Sequence, residues 1–127
     1  RTDPTEAWNF VAATGVDGLA VAVGSSHAMQ DQSARLDIDL IESLAAQVHV
    51  PLVLHGSSGV PDATLLEACR AGISKVNVGT RFNLVFTRAV KAALAADTGN
   101  DPRDYLVHGR DAMRVEAVRL LSLLKNG

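Results

Sequence analysis

Apolar residues along this chain follow two alternating patterns. The first segment opens with a helix-start signature: Asp3 as the capping residue, Pro4 in the first helical position and Glu6 in the third. Gly15 then supplies a stop. From 19 to 23 the residues are continuously apolar (Leu19, Ala20, Val21, Ala22, Val23), which predicts a strand buried on both faces, as in a parallel sheet. Residues 25–36 are polar and irregular and read as a loop. Ile38, Ile41, Leu44 and Ala45 then recur at helical spacing, so a helix is predicted from Asp37 to about Gln47.

The same alternation continues downstream. Val50, Leu52, Val53 and Leu54 form a second short apolar strand with Pro51 near its entry and His55 at its end. Gly56-Ser57-Ser58-Gly59 reads as a tight turn of small residues. Pro61 and Asp62 open a helix that Gly72 closes. A third strand is predicted over 73–78, ending at Gly79, and a helix from about Arg81 to Ala96. The run Thr98-Gly99-Asn100-Asp101-Pro102 breaks that helix, and a last one extends to about Leu124. Helix and strand therefore alternate three times before two further helices, which predicts right-handed crossovers and a parallel sheet. Three parallel strands leave two open edges. Either the sheet is part of a (β/α)8 barrel, for which 127 residues are about half of the roughly 250 usual, or it is completed by another chain. The missing-barrel solution is preferred, and the open edges predict a homo-oligomer or a tightly associated partner. The chain begins at Arg1 rather than Met, from which an upstream segment is expected.

Composition narrows the partners. A net charge of -2 gives no electrostatic footprint for nucleic acid or an anionic membrane. No apolar run approaches the roughly 20 residues that span a bilayer, and the start carries no signal-peptide pattern. The one cysteine, Cys69, excludes an internal disulfide and reads as a small packed hydrophobe, in keeping with a cytoplasmic protein.

Ligands of parallel sheets sit at the carboxyl ends of the strands, and all three predicted strands end in small or polar residues. The first runs into Gly24-Ser25-Ser26-His27, the second into His55-Gly56-Ser57-Ser58-Gly59, the third into Asn77-Val78-Gly79-Thr80. Adjacent strands lie about 4.8 Å apart, so His27 and His55 can reach one ion, and neutral imidazole suits zinc. Two histidines are short of the three ligands usual for catalytic zinc, and their spacing leaves open both metal binding and a merely polar strand end. The glycine- and serine-rich turns let backbone N–H groups approach an anion, aided by the helix N-termini near Pro61 and Thr80; a plain tight turn is the alternative. His49, at the opposite end of the sheet, reads as solvent-facing, and His108 as surface or packing. Asp37, Asp39 and Glu42 read as helix-start charges, and Trp8 and Phe10 as packing. Arg81, Arg88, Arg103 and Arg110 read by default as solvated helix arginines, with a distal phosphate as the functional alternative.

Taken together, Thr2-Asp3-Pro4, Gly15-Val16-Asp17, the 19–24 strand leading to a Ser-His pair, Val50-Pro51-Leu52-Val53-Leu54-His55-Gly56, Ser58-Gly59-Val60-Pro61, Gly72-Ile73, Lys75-Val76-Asn77-Val78, Thr80, Asp101-Pro102-Arg103 and Ala112-Met113 resemble the class II, metal-dependent fructose-bisphosphate and tagatose-bisphosphate aldolases. The resemblance spans essentially the whole chain and implies an α/β fold: the C-terminal part of a (β/α)8 barrel, with about three βα units and the terminal helices. It implies reversible aldol cleavage of a ketose 1,6-bisphosphate to dihydroxyacetone phosphate and an aldehyde phosphate. His27 and His55 are similar to two of the three histidine ligands of a catalytic Zn2+, which acts as a Lewis acid on a carbonyl; a monovalent cation accompanies the zinc in this reading. Gly56 and Ser58 resemble part of a cradle for the ketose phosphate, and Asn77, Gly79 and Thr80 a second set of substrate and phosphate contacts. The resemblance puts the third histidine ligand and an acid/base aspartate upstream of this chain, so the chain alone is expected to be inactive. This sequence also departs from the pattern. Ala28 stands where Gly is usual, Ser57 where Gly or Ala is, and Arg81 where an acidic residue is. Gly79 stands where fructose-type enzymes carry Asp and tagatose-type ones Ala, which leaves the sugar open. The competing reading is a non-catalytic half-barrel that binds phosphate or metal or only self-assembles.

Overall fold

The computed structural model describes residues 1–25, 33–96 and 99–125. Helix α1 (Pro4–Thr14) starts as its sequence dictates: the Asp3 carboxylate accepts from the N–H groups of Thr5 and Glu6, and Gly15 ends the helix at φ 65°, the left-handed region that glycine enters without cost. Strand β1 (Leu19–Val21) follows, then α2 (Ile38–Gln47), capped by the Asp37 side chain on the Leu40 N–H, and β2 (Leu52–Leu54). A 3-10 turn over Ser57–Gly59 stands where a tight turn is expected. Helix α3 (Asp62–Ala71), strand β3 (Ile73–Val76), α4 (Thr80–Ala96) and α5 (Pro102–Leu124) complete the chain, the last capped by Asp101.

The sheet is parallel, with strand order β1-β2-β3. Its helix-facing side chains, Val21, Leu52, Leu54 and Ile73, join Ala7, Val11, Ile41, Leu44, Leu65 and Ala68 in one buried cluster. Ile41, Leu44 and Leu54 are wholly shielded from water; burying a Leu or Ile side chain contributes about 1.5–3 kcal/mol. Sequential strand order with α1, α2 and α3 on the same face is the winding of a barrel, since a doubly wound sheet carries helices on both faces.

Two expectations are corrected here. Strand β1 is not covered on both faces: Val21 and Val23 are buried, while Ala20 and Ala22 are exposed. Its apolar run is therefore an alternation of an inner and an outer face, with alanine on the side the helices do not cover. Trp8 and Phe10 are not core packing either. They remain 48% and 52% exposed, because α1 turns Ala7 and Val11 inward instead. The strands are also shorter than their apolar runs: beyond β1 the Val23 carbonyl accepts from Asp37 N–H rather than from a neighbouring strand.

The β2–β3 ladder contains an irregularity that places the next residues. Leu52 pairs with Ile73, but Val53 pairs with Lys75 and Leu54 with Val76, so Ser74 is an extra residue in β3. Regular pairing would set His55 opposite Val76. The inserted residue instead brings Asn77 level with His55, and the Asn77 N–H donates to the Leu54 carbonyl at 3.0 Å.

Candidate active site at the strand ends

The carboxyl ends of β2 and β3 enclose a cavity of about 250 Å³ lined by His55, Gly56, Ser58, Asn77, Val78, Gly79 and Thr80. Side chains alternate across a strand, so His55, directly after the inward Leu54, lies on the face the helices leave open, together with Val53 and Lys75. Gly56 turns the chain at φ 67°, a conformation that is costly for a residue with a Cβ. The turn is tied from behind. Ser57, the buried polar residue of the core, donates through its hydroxyl to the Leu54 carbonyl at 3.2 Å, and the Val60 N–H closes onto the Ser57 carbonyl.

Three hydrogen bonds define the chemistry of the cavity. The Asn77 side-chain nitrogen lies 3.4 Å from His55 Nε2. In the tautomer whose proton is on Nδ1, an amide N–H aimed there meets the Nε2 lone pair, the same lone pair a metal ion accepts. The Ser25 hydroxyl donates to the His55 carbonyl at 2.5 Å, fastening the end of β1 to the end of β2. The Arg81 backbone N–H donates to Ser58 Oγ at 3.0 Å, joining the turn after β2 to the start of α4. Because Ser58 Oγ accepts that bond, its own proton remains for donation to another group. Gly79 precedes the first turn of α4, its carbonyl accepting from Asn83 N–H.

The structure thus gathers six of the seven candidate residues, His55, Gly56, Ser58, Asn77, Gly79 and Thr80, around one cavity. The seventh, His27, lies outside the described residues, as does Ala28. His49 is exposed before β2, at the other end of the sheet. His108 is also exposed, in a larger hollow of about 440 Å³ between α4 and α5 that four alanines help to line. Cys69 is partly buried, and that burial pushes its thiol pKa up, which suits packing rather than nucleophilic chemistry. His55 fits zinc as one ligand, a neutral nitrogen donor at a strand end. Among the described residues no three His, Cys, Asp or Glu side chains converge on a common point.

Ser25 and Arg81 are the residues that pattern reading undervalued. Ser25 was visible only as part of a small polar run. Arg81 is not a solvated helix arginine: it is 26% exposed and its Nε bonds Glu116 of α5. Glu116 also accepts from Arg119, which reaches on to Asp62 at the start of α3. Arg103 and Arg110 pair with the nearby Asp101 and Asp111 on the surface.

A barrel-wound α/β sheet with this polar cavity at its strand ends is the architecture of a (β/α)8 enzyme's C-terminal part. The model of the family described as fructose-bisphosphate aldolase class-II matches residues 1–127, and the chain belongs to that family. Solved structures agree. The YdjI aldolase of Escherichia coli K12 superposes with a TM-score of 0.82 at 33% identity, covering 97% of this chain and 44% of its own. A proposed fructose-1,6-bisphosphate aldolase of Coccidioides immitis gives 0.83 at 25% identity, over 98% of this chain and 43% of its own. The fructose-bisphosphate aldolase of Campylobacter jejuni gives 0.78 at 18% identity, over 98% and 45%, a likeness of fold alone. The chain therefore spans less than half the length of the solved structures it matches.

Proposed function

We propose that this chain forms the phosphate-binding side of a zinc-dependent aldolase site, which cleaves a ketose 1,6-bisphosphate reversibly into dihydroxyacetone phosphate and an aldehyde phosphate. The observation that carries the reading is the convergence of His55, Gly56, Ser58, Asn77, Gly79 and Thr80 on one cavity at the ends of β2 and β3. His55, with His27, would hold the metal. Zinc, when bound, supplies a Lewis acid that polarises a substrate carbonyl.

The chain's own groups bind and orient. Among the described residues no Lys or Arg side chain lines the cavity. An anion there is held by hydroxyls, by backbone N–H groups that glycine allows close, and by the positive end of the α4 dipole. Ser58 keeps its proton for a phosphate oxygen because Arg81 N–H occupies a lone pair. Asn77, level with His55, offers an amide to a substrate hydroxyl beside the metal ligand. Fixing the phosphate on one side and the carbonyl end on the other turns binding energy into orientation of the reacting carbons.

The test uses the full-length protein that contains this segment. Loaded with zinc, it is expected to cleave a ketose 1,6-bisphosphate and to lose that activity on chelation. His55→Ala is expected to lower zinc content and cut kcat/KM by at least about a hundredfold. Absence of turnover with any ketose bisphosphate by zinc-loaded protein would refute the reading.

A further inference from the structure

Four charged side chains form a closed circuit behind the cavity, and nothing in the proposed reaction uses them. Ser58, on the turn after β2, accepts from the Arg81 N–H at 3.0 Å. The Arg81 guanidinium bonds Glu116 of α5. Glu116 accepts from Arg119 at 2.9 and 3.0 Å, and Arg119 bonds Asp62. Asp62 opens α3, which follows the Ser57–Gly59 turn directly, so the circuit returns along the chain to Ser58. Glu116 is its centre: 12% exposed, it is shared by two guanidiniums that are themselves partly shielded.

We infer that Glu116 is a positioning residue for anion binding: by holding Arg81 and Arg119 together it sets the start of α4 against Ser58 and so fixes the two walls of the cavity. The inference rests on the phosphate-site reading above. The two walls come from separate elements, the turn after β2 and the first turn of α4, and Arg81 touches both the tie between them and Glu116. Take away the charge on Glu116 and two arginines are left sharing a partly shielded space, with Asp62 alone among their described partners to balance them. Like charges then push Arg81 off its place, and its N–H goes with it. Ser58 and Thr80 would still line the cavity, but at an unfixed separation. A network of this kind modulates a site it does not touch, by changing how well the site is pre-organised.

The experiment titrates inorganic phosphate into the full-length protein by calorimetry and measures steady-state kinetics on a ketose bisphosphate. In Glu116→Gln the phosphate Kd and the KM are expected to rise roughly tenfold, with zinc content as in the parent and kcat changed by less than about twofold. Arg81→Gln is expected to do the same. It lies at a more exposed residue and keeps the backbone N–H, so it carries the test if Glu116→Gln does not fold. Val11→Ala, in the core under α1, is the control: it lowers Tm and leaves phosphate affinity unchanged. Folded Glu116→Gln or Arg81→Gln protein that binds phosphate like the parent overturns the inference. So does a Val11→Ala protein that loses as much affinity as they do, since the effect is then general loosening. A parent that binds no phosphate overturns the phosphate-site reading itself, a result distinct from either.

Discussion

Gly79 shows how much one side chain can decide. An added Cβ there meets nothing within 4 Å, so the position is open rather than packed. It also sits where the cap of α4 belongs, its carbonyl accepting the first helical bond from Asn83. In Gly79→Asp the carboxylate gains the N–H groups of the first turn, and stability is expected to rise by a few tenths of a kcal/mol, about the difference between Gly and Asp caps. The same change puts a carboxylate on the wall of the cavity, at the position where fructose-type and tagatose-type relatives are expected to differ. The ratio of kcat/KM for fructose to tagatose 1,6-bisphosphate is therefore expected to rise in Gly79→Asp while Tm holds or increases. An unchanged ratio would mean that this position does not read the sugar. That His55 and the 77–80 segment lie at strand ends was legible in the sequence, and the structure gathers them around one cavity. The place of Arg81 was not legible, since nothing in its neighbourhood shows that its partner lies 35 residues on, in α5.

Among elements, helix starts were the most readable. Asp3-Pro4, Asp37 and Asp101-Pro102 each carry a carboxylate cap that the structure uses. Strand lengths were less so, because an apolar run gives burial and not pairing: Val23 is buried yet lies outside the ladder. The irregularity in β3 had a trace in sequence. Ser74 and Lys75 are two adjacent exposed residues between Ile73 and Val76, where a regular strand would alternate. The contacts among α3, α4 and α5 depend on ionisation. Bonds from Arg119 and Arg81 hold the Glu116 pKa below the usual carboxylate range, Arg119 contributing most. A carboxylate with a lowered folded pKa adds stability that is present above its unfolded pKa, near 4.3, and is lost as pH falls through the folded value. The Tm of Glu116→Gln should therefore fall below that of the parent at pH 7, by the equivalent of about 1–3 kcal/mol. The two should converge as pH falls below the unfolded pKa and on through the lowered folded value, where the parent's own Glu116 becomes neutral. Melting curves across that range check it, and a gap independent of pH would show that shape rather than charge matters at this position.

For the molecule as a whole, the sheet is the decisive fact. Beta1 and β3 are its edges, and one face of the sheet bears Ala20, Ala22 and Lys75 exposed. An apolar hollow of about 510 Å³ runs beside β3, lined by Val76, Phe82, Leu120, Leu121 and Leu124 among others. The alternation of helix and strand and the parallel sheet were legible from the pattern; the one-sided cover of the sheet was not, since the apolar run of β1 reads as buried on both faces. Completeness of the site was less legible, because two histidines at strand ends fit a metal without showing how many ligands it has. Of the chain's four histidines, His49 and His108 lie away from the cavity; on the proposed reading His27 and His55 would hold zinc, two ligands where catalytic zinc usually has three from the protein. The 127-residue chain by itself is accordingly expected to show no aldolase activity above background on fructose 1,6-bisphosphate. Chelator-sensitive turnover by this chain alone would show that it builds a working site unaided.

The extra residue at Ser74 lets one short strand obey two masters. Before it, β3 keeps step with the hydrophobic interior; after it, the strand keeps step with His55 and the cavity. Because the shift is made in the middle of the element, the two halves can drift independently over evolutionary time. Substitutions that repack Ile73 against the helices need not disturb the phase in which Asn77 meets His55. Forcing Ser74 into step with Val53 would restore an unbroken pleat and a respectable-looking sheet in which Val76, not Asn77, stands level with His55.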